Sequence, residues 1–373
     1  PPQAPAPPPF DDANSADDDE SDDGAAPWAA DPGLISSRLN ARQRKPATVH
    51  NVPNFNITVP EQGGYYLYVG SGPMHGDSVS EFVAMMKGAP VVNIDLKVGG
   101  YAHEMLSPPV TAQLRAIAAD ARCLGILGSV ECKTWSPARS APADGALARS
   151  KPLRDKNHRL GFTDSDGQLP ASVQRANAMA DLLAELCDSV HAHGGRYLVE
   201  TSPSRGSDAA FPLPGREDHV GMLDHPSFLK LAEVTGGQTM HFDQCMTRSD
   251  PSTSPEKKTV LLYSPSLAAV VMALFSPLMC NHGPGVHPSM LGMTPDGKAA
   301  SSQWENYSRD MNMRLARCLL WTPGTDVWLL ASETRSQAAA GGPSAPSAPR
   351  KCDGAPSPCN SPRPGHPRPV PVP

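Results

Sequence analysis

The feature that most constrains the fold is an alternation of short β-type runs and helical segments between residues 65 and 263. The first two runs are Tyr65–Val69 (YYLYV) and Val91–Ile94 (VVNI), and each leads into a segment with helical spacing of apolar residues. Strand, helix, strand order predicts parallel strands joined by crossover helices. We therefore expect an α/β domain with a doubly wound, Rossmann-like sheet.

The later segments extend this pattern. A third strand, a long helix and a fourth strand are predicted at residues 124–127, 172–193 and 196–200. Two further β-type runs, residues 239–244 and 258–263, are close enough in sequence to pair as a hairpin. The expected sheet is therefore mostly parallel, with an antiparallel hairpin at one edge.

Both ends of the chain have compositions that disfavour a packed core. Residues 1–62 are rich in proline and contain a dense acidic run, and residues 326–373 are rich in proline, serine and alanine. Such segments bury too little apolar surface to offset the entropy that is lost on ordering. We expect both to be disordered, on either side of one domain at residues 63–325.

Charge and cysteine usage narrow the class of protein. The formal net charge is −6, much of it from the acidic run, so composition indicates no broad basic surface for nucleic acid. The eight cysteines are scattered, unlike those of a secreted disulfide scaffold, which favours an intracellular protein, nuclear or cytoplasmic. Apolar runs are too short to span a bilayer, so no membrane partner is expected. The sequence does not indicate an oligomeric state.

Residues suited to chemistry follow each predicted parallel strand. Gly70 and Gly72 follow the first, Asp95 the second, Cys132 the third, and Glu200 ends the fourth. Because ligands bind open α/β sheets at the carboxyl ends of the strands, these residues predict one site. A glycine turn allows close approach of a nucleoside-bearing cofactor, and an acid after the second strand can bind ribose hydroxyls. A thiolate can add to an electron-poor ring while a nearby acid neutralises the developing charge.

The segments around these residues resemble those of class I S-adenosylmethionine-dependent methyltransferases of the cytosine-C5 type. The resemblance is closest to the degenerate methyltransferase-like domains that retroelements of algae and other protists carry. It rests on YLYVGSGPMHGDSV, VVNIDLKVGGYAHEML, GILGSVECKTWSPAR, RYLVETSP, HFDQC, KKTVLLYS and CNHGPGVHPSMLG, which are spread over residues 66–292. It implies methylation of nucleic acid by one module of a longer polyprotein, and the absence of an initial Met agrees with a fragment.

The resemblance also implies the cofactor-binding residues. Gly70, Ser71 and Gly72 would lie against S-adenosylmethionine. Asp95 would bind the ribose of the cofactor, and Glu104 in HEML would lie near the adenine edge.

For the reaction, the resemblance implies two catalytic residues. Cys132 stands at the cysteine of the family's Pro-Cys motif and would attack ring C6. Glu200 stands at the glutamate of the Glu-Asn motif and would steady ring N3. Arg139 and Arg154, in or near a long basic loop, would contact the phosphates of the nucleic acid.

Two departures from the family pattern favour a different class of function. Glu131 replaces the proline before the cysteine, and a neighbouring carboxylate disfavours the thiolate. Thr201 replaces the asparagine that follows the glutamate. The alternative is a catalytically decayed domain that serves as a binding or structural module, in which Cys132 is a buried strand-end residue and Asp95 and Glu200 cap turns. A cysteine hydrolase is disfavoured because no histidine partner or oxyanion loop is evident.

A second set of residues has the chemistry of a metal site, namely Cys245, Cys280, His282 and His287. Thiolates and imidazoles suit zinc, and four of them complete the tetrahedron of a structural site. The spacing does not match a strong zinc signature, so buried cysteines beside surface histidines are the alternative. We expect a structural zinc ion if the fold brings the four residues together.

Overall fold

The structure is a computed structural model. The part of the chain that it describes is built around one six-stranded sheet. The described residues are 57–73, 75–86, 88–130, 133–137, 152–248, 250, 254–283, 285–288, 306–322 and 324. The strands are β1 (Tyr65–Val69), β2 (Val91–Ile94), β3 (Cys123–Gly128), β4 (Arg196–Thr201), β5 (Gln238–Asp243) and β6 (Lys258–Tyr263). The α-helices are α1 (Val79–Met85), α2 (Leu96–Gly99), α3 (Pro108–Ala119), α4 (Ala171–Ala192), α5 (Pro226–Thr235), α6 (Ala268–Phe275) and α7 (Arg309–Leu320).

The strand order in the sheet is β2-β1-β3-β4-β6-β5. Strands β1 to β4 are parallel to their neighbours among themselves, whereas β6 is antiparallel to both β4 and β5. The prediction of a mostly parallel α/β sheet with an antiparallel hairpin at one edge is thereby confirmed. Because β6 lies between β4 and β5, the edge strand β5 runs in the same direction as β1 to β4. The carboxyl ends of all five strands therefore lie at one edge of the sheet.

Helices cover both faces of the sheet. Leu67 and Val69 of β1 pack on the side of α3, α4 and α5, whereas Tyr66 and Tyr68 pack on the side of α1, α6 and α7. Successive side chains of a strand point to opposite faces, so a strand that is covered on both faces has an uninterrupted apolar sequence. All five residues of β1 are buried, in agreement with the run YYLYV.

The described chain begins at residue 57, before the predicted domain boundary at residue 63. The Ile57 N–H donates to Oε1 of Gln113 in α3 at 2.9 Å, and Ile57 and Val59 pack against the core. The packed unit therefore includes residues that composition alone assigned to the N-terminal segment. Residues 1–56 and 325–373 lie outside the described residues, so the disorder expected for them stays a prediction. Among the described helices, none has the length and apolar character needed to cross a lipid bilayer.

Candidate functional site at the carboxyl ends of the strands

A glycine turn leaves β1 and is bonded to the end of β2. Gly70 and Gly72 have φ angles of +73° and +67°, a left-handed conformation that favours glycine. The Gly70 N–H donates to the Ile94 carbonyl at 2.7 Å, and the Gly72 N–H donates to Oδ2 of Asp95 at 2.9 Å. The fold thus brings together the glycines and the acid that the sequence assigned to cofactor binding.

Asp95 also caps the short helix α2. Its Oδ1 accepts the Lys97 N–H at 2.8 Å, as an N-cap side chain does. The capping role that the sequence left open for Asp95 is therefore present. The residue is partly exposed, and each carboxylate oxygen can accept more than one hydrogen bond, so a ligand hydroxyl can also donate to it.

Glu200 near the end of β4 is enclosed by hydrogen-bond donors. Its side chain accepts from the Ser129 hydroxyl at 3.1 Å and from the Tyr307 hydroxyl, both at Oε2, and from Nε2 of Gln244 at 3.1 Å, at Oε1. Burial first, and then the Glu200 carboxylate, raise the pKa of Tyr307 well above its ordinary value, so the phenol stays protonated and donates. Glu200 is only 5% exposed, and both of its oxygens are occupied by protein groups.

A buried tyrosine and a close backbone contact join these two groups of residues. Burial first, and then the carboxylates of Glu200 and Asp95, raise the pKa of Tyr68 in β1 above its ordinary range. A Cβ atom on Gly70 would lie only 2.1 Å from the carbonyl oxygen of Ser129, so the glycine turn is in close contact with the residue that donates to Glu200.

We call this continuous region the strand-end site, made up of Gly70, Gly72, Asp95, Ser129, Glu200, Gln244 and Tyr307.

Two predicted residues of this site, Cys132 and Arg139, lie outside the described residues, so their roles stay predictions. Ser129, three residues before Cys132, belongs to the strand-end site, and the chain that carries the cysteine therefore leaves β3 at the predicted edge.

Arg154, which the resemblance assigned to contact with phosphate, is buried. Its guanidinium lies 3.3 Å from the centre of the Trp135 ring and donates to Oδ1 of Asn177 at 2.6 Å and to Oγ1 of Thr134 at 3.0 Å. Burial lowers its pKa to about 10. These contacts anchor the start of the loop after residue 151. This geometry does not support a contact between Arg154 and phosphate, which stays a prediction.

Glu104 is likewise bonded to the protein. Nη2 of Arg175 donates to both Glu104 carboxylate oxygens, at 3.0 and 2.9 Å, and the Leu106 N–H donates to Oε1 at 3.3 Å. The glutamate is 6% exposed. This ion pair ties α4 to the segment before α3, so recognition of adenine by Glu104 stays a prediction.

The four predicted metal ligands do come together. We call Cys245, Cys280, His282 and His287 the Cys/His cluster; their ligand atoms all lie within 4.8 Å of one another. The Cys280 sulfur is 3.3 Å from Nδ1 of His282 and 3.2 Å from Nε2 of His287. Burial first, and then the Cys280 thiol, raise the pKa of Cys245 to about 12. Both cysteines are free thiols.

Ser129, Gln244 and Tyr307 were not identified from the sequence. In the structure Ser129 and Gln244 each follow directly after a strand, as Asp95 does, but the predicted strands at residues 124–127 and 239–244 did not end directly before them. Tyr307 has no such signal, because it does not follow a strand. It is the residue before the N-cap of α7, and its hydroxyl donates to Glu200.

Comparisons with protein-family models, with curated proteins and with solved structures find no match for this chain.

Proposed function

We propose that this chain is a doubly wound, Rossmann-like methyltransferase domain that uses S-adenosylmethionine and acts on cytosine in nucleic acid, as a module of a mobile-element polyprotein. The observation that carries the proposal is the bond between the Gly72 turn and Asp95, at the same sheet edge as Glu200. A glycine turn and an acid at adjacent strand ends form an arrangement that binds nucleoside-bearing cofactors in open α/β sheets.

In this proposal, separate residues of the chain bind the cofactor and act on the target base. The Gly70–Gly72 backbone lets the cofactor approach closely, and the partly exposed Asp95 accepts hydrogen bonds from its ribose hydroxyls. The Cys132 thiolate would add to ring C6 of the target base, which must leave the stack to reach it, and would be eliminated again when the methylated C5 loses its proton. Glu200 faces the polar side of the ring, held by Ser129 and Tyr307. S-adenosylmethionine supplies the methyl group.

One observation favours the alternative, a binding or structural module without catalysis. Both oxygens of Glu200 already accept hydrogen bonds, so a cytosine ring could reach the carboxylate only if Gln244 or Tyr307 moved away. A carboxylate with this enclosure serves equally well to hold β4 against α7.

A calorimetric titration with S-adenosylmethionine tests the cofactor site. We expect binding to the wild-type protein and at least tenfold weaker binding to Asp95→Asn, because a neutral amide accepts hydrogen bonds from hydroxyls less strongly than a carboxylate does. Asp188→Asn is the matched control, since this exposed carboxylate lies near the end of α4 that leads into the amino end of β4. Absence of heat at millimolar cofactor would overturn the proposal.

An oligonucleotide that contains 5-fluorocytosine then separates the two functions. With cofactor present, the methyltransferase forms a stable covalent adduct with it, which is visible as a mass increase and is lost in Cys132→Ser. Unmodified cytosine is the control, because its adduct is released. Cofactor binding without an adduct would favour the binding module.

The chemistry of the Cys/His cluster supports a structural zinc ion as a second bound group. Two thiols and two imidazoles are ligands that zinc prefers, and four protein ligands leave no open position for a substrate. With ordinary zinc–sulfur and zinc–nitrogen bond lengths, neighbouring ligand atoms of a tetrahedral site are about 3.3–3.8 Å apart. The Cys280 contacts of 3.3 and 3.2 Å are close to this range.

A further inference from the structure

We infer that a metal ion in the Cys/His cluster holds in place the turn that positions Glu200, so that zinc controls the rigidity of the strand-end site. The inference rests on the proposed zinc ion and not on methyl transfer. One ligand of the cluster, Cys245, lies in the 3-10 turn Gln244–Thr247 directly after β5.

Two other residues of this turn, Gln244 and Thr247, contact Glu200 or the segment that carries Tyr307. Gln244 donates to Glu200 itself, at 3.1 Å. The Thr247 hydroxyl is 2.6 Å from the hydroxyl of Ser308, the N-cap of α7, and Ser308 follows Tyr307 in the chain. One short turn therefore carries a metal ligand and reaches Glu200 by two routes.

The second thiol ligand is anchored to the same strand. The Cys280 N–H donates to Oδ2 of Asp243 at 2.7 Å, and Asp243 is fully buried at the end of β5. Lys258 pairs with the same carboxylate at 2.8 Å. A metal ion that binds both sulfurs would close a ring through Asp243, Cys245 and Cys280, and a closed ring restricts the turn more than separate hydrogen bonds do.

A hydrogen bond to a backbone carbonyl orients one histidine of the cluster for a metal ion. Nδ1 of His287 is 2.8 Å from the carbonyl oxygen of Ser254, which can only accept, so Nδ1 carries the proton. The lone pair of Nε2 is then left to face the Cys280 sulfur at 3.2 Å. Such a contact to a backbone carbonyl is typical of metal-bound imidazoles.

The histidine side of the cluster is open to solvent. His282 and His287 line a cleft of about 510 Å³ together with Pro255, Glu256 and the glycines of the intervening loop. A chelator can therefore approach the ion from this side while the fold stays intact. The state of the metal can be changed in the wild-type protein, without a substitution that risks misfolding.

The test combines metal analysis with hydrogen exchange on the full chain. Elemental analysis should find one zinc per chain, and cobalt(II) in its place should give the visible spectrum of a tetrahedral site with two sulfurs and two nitrogens. Removal of the ion by a chelator should speed amide exchange at least tenfold in residues 244–248 and 307–312, and zinc should reverse this. Cys280→Ser should behave as the metal-free protein does, whereas Cys318→Ser, a buried non-ligand in α7, should retain the ion.

Two contrary results would overturn the inference to different extents. A folded protein that binds neither zinc nor cobalt, or whose Cys245 and Cys280 form a disulfide, overturns both the ion and its control of the site. Stoichiometric zinc with unchanged exchange in residues 244–248 and 307–312 overturns the control alone. Neither result bears on S-adenosylmethionine, whose binding is measured separately.

Discussion

The strand-end site and the Cys/His cluster are neighbours at one sheet edge, but they are stabilised in different ways. In the strand-end site, both oxygens of Glu200 and both oxygens of Asp95 accept hydrogen bonds from the protein. In the cluster, four ligand atoms face one another within 4.8 Å, and a thiol forms only weak hydrogen bonds. The hydrogen bonds of the first region are thus complete from its own groups, whereas the second would be completed by the proposed zinc ion.

This difference bears on function. Because Glu200 is buried and both of its oxygens are already bonded, it can serve catalysis only if a substrate displaces one of those bonds. The partly exposed Asp95 is the more accessible of the two acids, so a ligand can reach it without displacing a protein group.

The largest expected effect comes from removal of the Glu200 carboxylate. Glu200→Ala leaves the donors on Ser129, Gln244 and Tyr307 without their acceptor in a buried site, and we expect a loss of about 3 kcal/mol in the free energy of unfolding. Urea denaturation followed by circular dichroism measures it. Part of the loss should persist with a chelator present, because the Ser129 hydrogen bond does not involve the turn that the metal holds.

The control for this substitution is Glu185→Ala. Glu185 pairs with Arg115 at 2.7 Å, but both side chains are about half exposed, so the loss should be below about 0.5 kcal/mol. A loss for Glu200→Ala as small as that of the control, or one that appears only with zinc bound, would show that the strand-end site is not complete from its own groups.

The intermediate effect is the difference in stability between alanine variants of the two glycines of the turn, about 2 kcal/mol. Both have positive φ, but a Cβ on Gly70 meets the Ser129 carbonyl oxygen at 2.1 Å, whereas one on Gly72 meets nothing within 4 Å. Gly72→Ala should therefore cost only backbone strain, about 1 kcal/mol, and Gly70→Ala about 3 kcal/mol, because Ser129 must shift. Thermal unfolding of the two variants measures the difference. Equal losses would contradict the close contact between the glycine turn and Ser129.

The smallest of the three effects concerns Tyr307. Tyr307→Phe keeps the ring and removes only the hydroxyl that donates to Glu200, so we expect a loss of about 1–2 kcal/mol. Tyr101→Phe is the matched control, because this side chain is 70% exposed and should change stability very little. Denaturant titration of both variants checks the prediction, and a gain in stability for Tyr307→Phe would mean that the hydrogen bond does not hold α7 to β4.

Much of the fold follows from local patterns in the sequence. The run YYLYV predicts β1 because β-branched and aromatic residues favour strands, and the structure has β1 with the same bounds. The long helix predicted at residues 172–193 is shifted by one residue, to Ala171–Ala192. Helices α5 and α7 were not predicted, since tertiary packing contributes much of the stability of such short helices.

The candidate site was only partly predictable. Asp95 and Glu200 were found because each stands at the end of an apolar run, which is a local signal. Arg154 was assigned to a basic loop in contact with phosphate, and its burial against Trp135 depends on packing between segments that composition does not reveal. Tyr307 contacts Glu200 across 107 positions of sequence, a pairing that no local pattern encodes.

By itself the sequence determined the α/β class, the strands and the residues that end them, because side-chain periodicity and turn residues act over short distances along the chain. Only the tertiary structure decided which strand ends meet. The insertion of β6 between β4 and β5 makes β5 end beside Glu200, and this puts Gln244 and Cys245 at the same edge. The distances within the strand-end site and the Cys/His cluster depend on that order, since they join segments far apart in the chain.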